Sequence, residues 1–127
     1  MPRLLLTRVF DRWRRKARIA DETLRAAVDE IQAGLVDADL GGGLYKKRIP
    51  LPGRGKRGGA RTLLATNLAG RWIFLRGFAK NERADITPDE TAALRELAKD
   101  LLAAAETRLK EFLSAGVLKE LENDSEP

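Results

Sequence analysis

The sequence predicts an α+β fold: a small antiparallel sheet with an N-terminal helical hairpin before it and C-terminal helices after it, packed on one face. Three observations carry that reading. Apolar residues recur at helical spacing between Thr7 and Gly34 and again after Thr87. β-rich runs occupy residues 44–49, 60–67 and 71–78. Glycine and proline gather between these runs rather than inside them. At 127 residues the chain is expected to form one domain over 1–127, and no internal repeat divides it.

Residues 3–6 predict a short first strand. Thr7 or Asp11 can cap a helix whose apolar positions are Val9, Phe10, Trp13 and Ala17. Asp21 is the expected N-cap of a second helix with Leu24, Ala27, Val28 and Ile31 as its buried stripe, and Gly34 stands where that helix should stop. Residues 37–43 read as a glycine-rich turn. Residues 44–49 then form a strand, and residues 50–59, with two prolines and four glycines, form an exposed loop. The runs 60–67 and 71–78 make a hairpin through Leu68-Ala69-Gly70. Thr87-Pro88-Asp89-Glu90 is a strong helix start: a threonine cap, proline in the first turn, and glutamate placed to close a capping box. A last helix carries Leu109, Phe112 and Leu113 and ends at Gly116. The acidic tail, 120–127, is expected to fray.

Charge is distributed unevenly. The formal net charge is +5, yet no acidic residue lies between Asp39 and Glu82. That stretch carries Lys46, Lys47, Arg48, Arg54, Lys56, Arg57, Arg61, Arg71, Arg76 and Lys80. Like charges crowded this way oppose compaction unless an anion answers them, so the middle third reads as a surface for nucleic acid. The chain has no cysteine and no histidine. It therefore has no disulfide framework, no cysteine zinc site and no imidazole base or ligand, and neither a metal nor another cofactor is expected. No run approaches the roughly 18 apolar residues of a membrane span, and Leu4-Leu5-Leu6 is too short for a signal peptide. No membrane association and a cytoplasmic location are expected.

The chemistry on offer is that of phosphate. Gly53, Gly55, Gly58 and Gly59 let the main chain come close to a phosphate, and Arg54, Lys56, Arg57 and Arg61 supply charge. The loop lacks the GxxxxGK[ST] spacing of a P-loop, which argues against nucleotide hydrolysis of that kind. Arg61 near the start of one strand can meet Arg76, Lys80 and Arg83 near the end of its hairpin partner. Such a cluster could stabilise the charge that develops when an RNA 2′-hydroxyl attacks the neighbouring phosphate. Arginine is too weak a proton acceptor to take the hydroxyl proton, so a lysine such as Lys56 or Lys80 is the better candidate. Trp13 and Trp72 could stack on bases, but their spacing favours the core.

The run from Arg71 to Arg83, with Lys47-Arg48 and Gly58-Gly59-Ala60-Arg61-Thr62 before it, resembles the RelE/ParE superfamily of bacterial type II toxins. The RelE-like and HigB-like branch is nearest. The resemblance covers roughly residues 1–105, and its most specific part is the Gly77-Phe78-Ala79-Lys80 element together with the glycine-arginine loop. It implies a ribosome-dependent endoribonuclease, an mRNA interferase that cuts message in the A site. It also implies a cognate helix-turn-helix antitoxin that neutralises the toxin and represses their operon. Carried over, Arg61 takes the place of the strand arginine at the scissile phosphate, and Lys80 and Arg83 those of the basic residues after the last strand. With Lys56 these are the expected catalytic residues; Lys47, Arg48, Arg54, Arg57 and Arg76 are expected to hold RNA phosphates. The late tyrosine of many members corresponds to Thr87 here, and Tyr45, the sole tyrosine, lies on another strand. A ParE-like inhibitor of DNA gyrase shares the fold without needing clustered phosphate-facing cations. A non-catalytic nucleic-acid-binding module is the third option.

Overall fold

In the computed structural model of the chain, which describes residues 2–53 and 59–122, ten elements follow one another. They are β1 (Arg3–Thr7), α1 (Arg8–Lys16), α2 (Asp21–Gln32), β2 (Ala38–Gly41), β3 (Leu44–Ile49), β4 (Ala60–Thr66), β5 (Arg71–Ala79), α3 (Pro88–Ala103), α4 (Glu106–Ser114) and β6 (Leu118–Glu120). The expected α+β architecture is present, built on one six-stranded sheet in the order β2-β3-β4-β5-β1-β6. Most pairings are antiparallel; β1 runs parallel to β5, with Leu4 opposite Trp72 and Leu6 opposite Phe74.

Local chemistry sets the helix starts. The Thr7 hydroxyl accepts from the Phe10 N–H at 3.1 Å and donates to Leu75 O at 2.9 Å, so one side chain begins α1 and ties it to the sheet. At α3 both halves of the Thr87/Glu90 capping box form. The start of α2 differs from expectation by one residue: Ala20 is the N-cap and Asp21 the first helical residue. The Asp21 carboxylate is instead held by Arg14 at 2.8 Å.

Four other expectations are corrected. Val9 is 54% exposed; the inward stripe of α1 is Phe10, Trp13, Arg14 and Ala17. The turn expected over 37–43 is tighter than that. Gly42 and Gly43, with φ of +65° and +85°, make a two-residue hairpin loop, which frees residues 38–41 to pair as β2. Glu120 is not in a frayed tail: residues 118–120 pair with β1, and the flanking Leu118 and Leu121 are buried. Residues 123–127 of that tail lie outside the described residues.

Helices cover both faces of the sheet rather than one. Trp72 and Phe74 pack with Phe10, Leu24 and Val28 beneath α1 and α2. Ile73, Leu75 and Phe78 pack with Leu94, Leu101 and Leu109 beneath α3 and α4. The unbroken apolar run 72–75 is the sequence mark of a strand buried on two sides. Among the described residues, no helix is long and apolar enough to cross a membrane.

Candidate anion-binding site

Register decides which cations share a face. Arg48 on β3 stands directly opposite Arg61 on β4, and Arg61 stands opposite Phe78 on β5. Paired residues project to the same side, here the α3 side, because Phe78 belongs to that core. Two arginines placed directly across from each other repel, so the arrangement favours an anion between them.

A bulge in β5 completes the face. Leu63 pairs with Arg76 but the next residue, Leu64, pairs with Phe74, leaving Leu75 as the extra residue. Before the bulge Ile73 faces α3; after it Arg76 and Phe78 do, and Gly77 turns to the α1 side. Without that insertion Arg76 would stand on the α1 side of the sheet, away from Arg61.

The cations on this face differ in how they are answered. Lys46, two residues before Arg48, bonds Asp85 at 3.0 Å. That hydrogen bond, with the smaller field of Arg61, holds the Asp85 carboxyl below the usual range. Arg48 lies 3.5 Å from Asp37. Arg83 grips Glu90 with two N–H bonds of 3.0 and 2.6 Å, and its guanidinium lies 5.7 Å from the Phe78 ring centroid. The Arg83 bonds first, then the Thr87 N–H, hold the Glu90 carboxyl down to about 2. The same pair raises Arg83 above its ordinary range.

Arg61 is different. It is partly buried, and its Nη1 is enclosed without a hydrogen-bond partner among the described residues. A buried, unanswered guanidinium nitrogen ordinarily costs on the order of 1–3 kcal/mol or more, and natural proteins rarely leave one so. Arg76 and Lys80 are exposed and make no ion pair with a described residue. Lys80 directly follows β5, its N–H bonded to Gly59 O at 3.2 Å.

Lys47 does not join them. Period-two alternation sends it to the α2 face, where it is 4% exposed and bonds Glu30 at 2.7 Å and Leu35 O at 3.0 Å. Its expected role in holding phosphate is corrected to a structural one. Arg54, Lys56 and Arg57 lie outside the described residues. Tyr45 packs against the α1/α2 core, on the face away from Arg61. The Thr87 hydroxyl caps α3. The reading of residues alone missed Lys46, Phe78, Asp85 and Glu90. For Glu90 a signal existed: a capping-box glutamate seven residues after an arginine.

Four arginines (Arg48, Arg61, Arg76 and Arg83) and two lysines (Lys46 and Lys80) at one end of a sheet, with an aromatic floor and carboxylates at the margin, suit a phosphodiester. The family model of the RelE toxin of the RelE/RelB toxin-antitoxin system matches residues 2–121. No curated protein matches the sequence.

Proposed function

The chain belongs to the RelE toxin family, and we propose that it exerts its toxicity as a ribosome-dependent endonuclease that cuts messenger RNA. The observation that carries this reading is the partly buried Arg61, whose Nη1 has no hydrogen-bond partner among the described residues, facing Arg48 across the ladder. The family gives the chain an antitoxin partner. A small helix-turn-helix protein offering acidic side chains to the same face is the proposed form of that partner.

In the proposed reaction the 2′-hydroxyl oxygen attacks the adjacent phosphorus. A 2′,3′-cyclic phosphate forms, the bond to the 5′-oxygen of the next nucleotide breaks, and that oxygen takes a proton from water to leave as a 5′-hydroxyl. Arg61 binds the phosphate oxygens as negative charge builds on them, with Arg48 and Arg76 flanking. Arg83, fixed by Glu90 over Phe78, supports the same charge from the side. Asp85 and Glu90 are poor proton acceptors, since their neighbours hold them ionised far below neutral pH. The neutral amine form of Lys80, at the lip of the site, is the described species proposed to take the hydroxyl proton; Lys56 remains the second candidate. A site without an imidazole depends heavily on how its substrate is oriented, which is what a ribosome holding the codon supplies.

The test is a cleavage assay on programmed ribosomes comparing wild type with Arg61→Ala and Lys80→Ala. Cleaved message with wild type, and a loss with both variants, is expected. Intact message alongside accumulated gyrase–DNA cleavage complex would replace this reading with gyrase poisoning. RNA binding without damage to either target would reduce the protein to a binding module.

A further inference from the structure

At the same end of the sheet as Arg61, but on the α1 face, a groove of about 550 Å³ opens beside the C-terminal turn of α1. Trp13, Lys16, Arg18, Pro52, Asn81 and Glu82 are among the residues that line it. Trp72 is fully enclosed, whereas Trp13 is only partly buried and keeps part of its ring in this groove. The indole is braced on Gly77: a Cβ there would lie 2.3 Å from Cζ3 and 2.5 Å from Cε3 of Trp13. Glycine at that position lets the ring rest against the strand.

Arg18 is held at φ +60°. It follows the C-cap of α1, its N–H bonded to Arg15 O at 3.2 Å while the Ile19 N–H reaches Arg14 O at 2.9 Å. That pattern ordinarily recruits glycine, because a side chain in the left-handed region is strained. Favourable interaction with the helix C-terminus accounts for a cation near this turn, but not for one at the strained position itself. Neither Lys16 nor Arg18 forms an ion pair with a described residue. The acid in the groove, Glu82, is turned back onto the Ala79 N–H at 2.8 Å.

We propose that this groove is a subsite for a nucleotide flanking the cut phosphate of single-stranded RNA, with Trp13 stacking on the base and Lys16 and Arg18 meeting its phosphates. The proposal rests on the endonuclease reading. Lys80 and Asn81 join the two faces at the sheet end, so a strand gripped at Arg61 passes over Lys80 into the groove. Two cations without an ion-pair partner among the described residues, beside an aromatic ring, favour RNA over an apolar peptide segment of an antitoxin.

The experiment uses the full chain and a short single-stranded RNA with 2′-O-methyl riboses, which binds but cannot be cut. Arg18→Gly removes the cation and relieves the backbone together. Its melting temperature should rise by a few degrees. Its RNA affinity should fall several-fold, with the salt slope smaller by about one. Trp13→Leu should bind roughly tenfold more weakly. An Arg18→Gly protein that melts higher yet binds RNA unchanged overturns the subsite, as does a defect confined to antitoxin binding. Because this binding needs no ribosome, its result is separate from that of the cleavage assay.

Discussion

The two ends of the β4–β5 hairpin carry the same residue type and treat it in opposite ways. At one end Arg71 donates to Leu101 O at 2.9 Å, Leu102 O at 3.3 Å, Ala104 O at 2.8 Å and Glu106 at 2.9 Å. It thereby satisfies the carbonyls at the break between α3 and α4. Arg3 beside it reaches Glu106 at 2.8 Å and Glu120 at 3.0 Å. At the other end Arg61 has a buried nitrogen with no partner among the described residues, and it faces a second arginine. Burial is common to Arg61 and Arg71, so burial does not separate a structural arginine from one proposed to bind phosphate. What separates them is whether the protein itself supplies the acceptors.

The largest expected effect lies at the open end. Arg61→Met keeps the apolar stem and removes the charge; ribosome-dependent cleavage should fall roughly 10²–10³-fold. Its melting temperature should be no lower than wild type, since a buried nitrogen without a partner among the described residues and a cross-strand repulsion both vanish. A Met variant that melts well below wild type would mean that Arg61 is structural after all. At the closed end Arg71→Ala should cost about 2–3 kcal/mol by urea titration, because three helix carbonyls lose a charged donor. Cleavage per folded molecule should not change. A smaller contrast compares sequence neighbours: Lys47→Met should cost about 1–2 kcal/mol, as Glu30 and Leu35 O each lose one donor, with RNA affinity unaltered. Lost RNA affinity in a folded Lys47→Met protein would return that lysine to the site.

The smallest effect concerns pH. Glu90 is held down to about 2 in the folded chain, against roughly 4.3 for an ordinary glutamate. A depressed carboxylate contributes stability that is complete above its unfolded value and disappears as pH falls through its folded value. The Arg83–Glu90 pair should therefore add an acid limb to stability between about pH 4.5 and 2. Urea midpoints measured across that window should fall less steeply for Glu90→Gln than for wild type. Equal slopes would show that the pair contributes nothing there.

Much of the fold was legible because its signals are local. Thr7 and Thr87 cap helices through bonds three residues away, and the apolar run Trp72 to Leu75 announces a strand, although its cover on both faces rather than one emerged only from the packing. The edge strands were harder. Ala38–Gly41 is short and polar on one side, and Leu118–Glu120 is three residues long; each exists only because a neighbouring strand accepts it. The site was legible as a charge map and as a family resemblance. It was not legible as a geometry: Lys47 and Arg48 look alike in sequence and end on opposite faces.

The linear order of residues determined where helices begin, where strands run and that the middle third would be cationic, because capping and periodicity act within a few residues. Tertiary structure alone decided which cations meet. That depends on the β3–β4 register, on the extra residue at Leu75 that carries Arg76 and Phe78 to the Arg61 face, and on acidic partners arriving from distant segments. Glu30 from α2 closes off Lys47, while no described residue does the same for the Nη1 of Arg61. A side chain's face is a relation between strands, and a strand read by itself does not contain it.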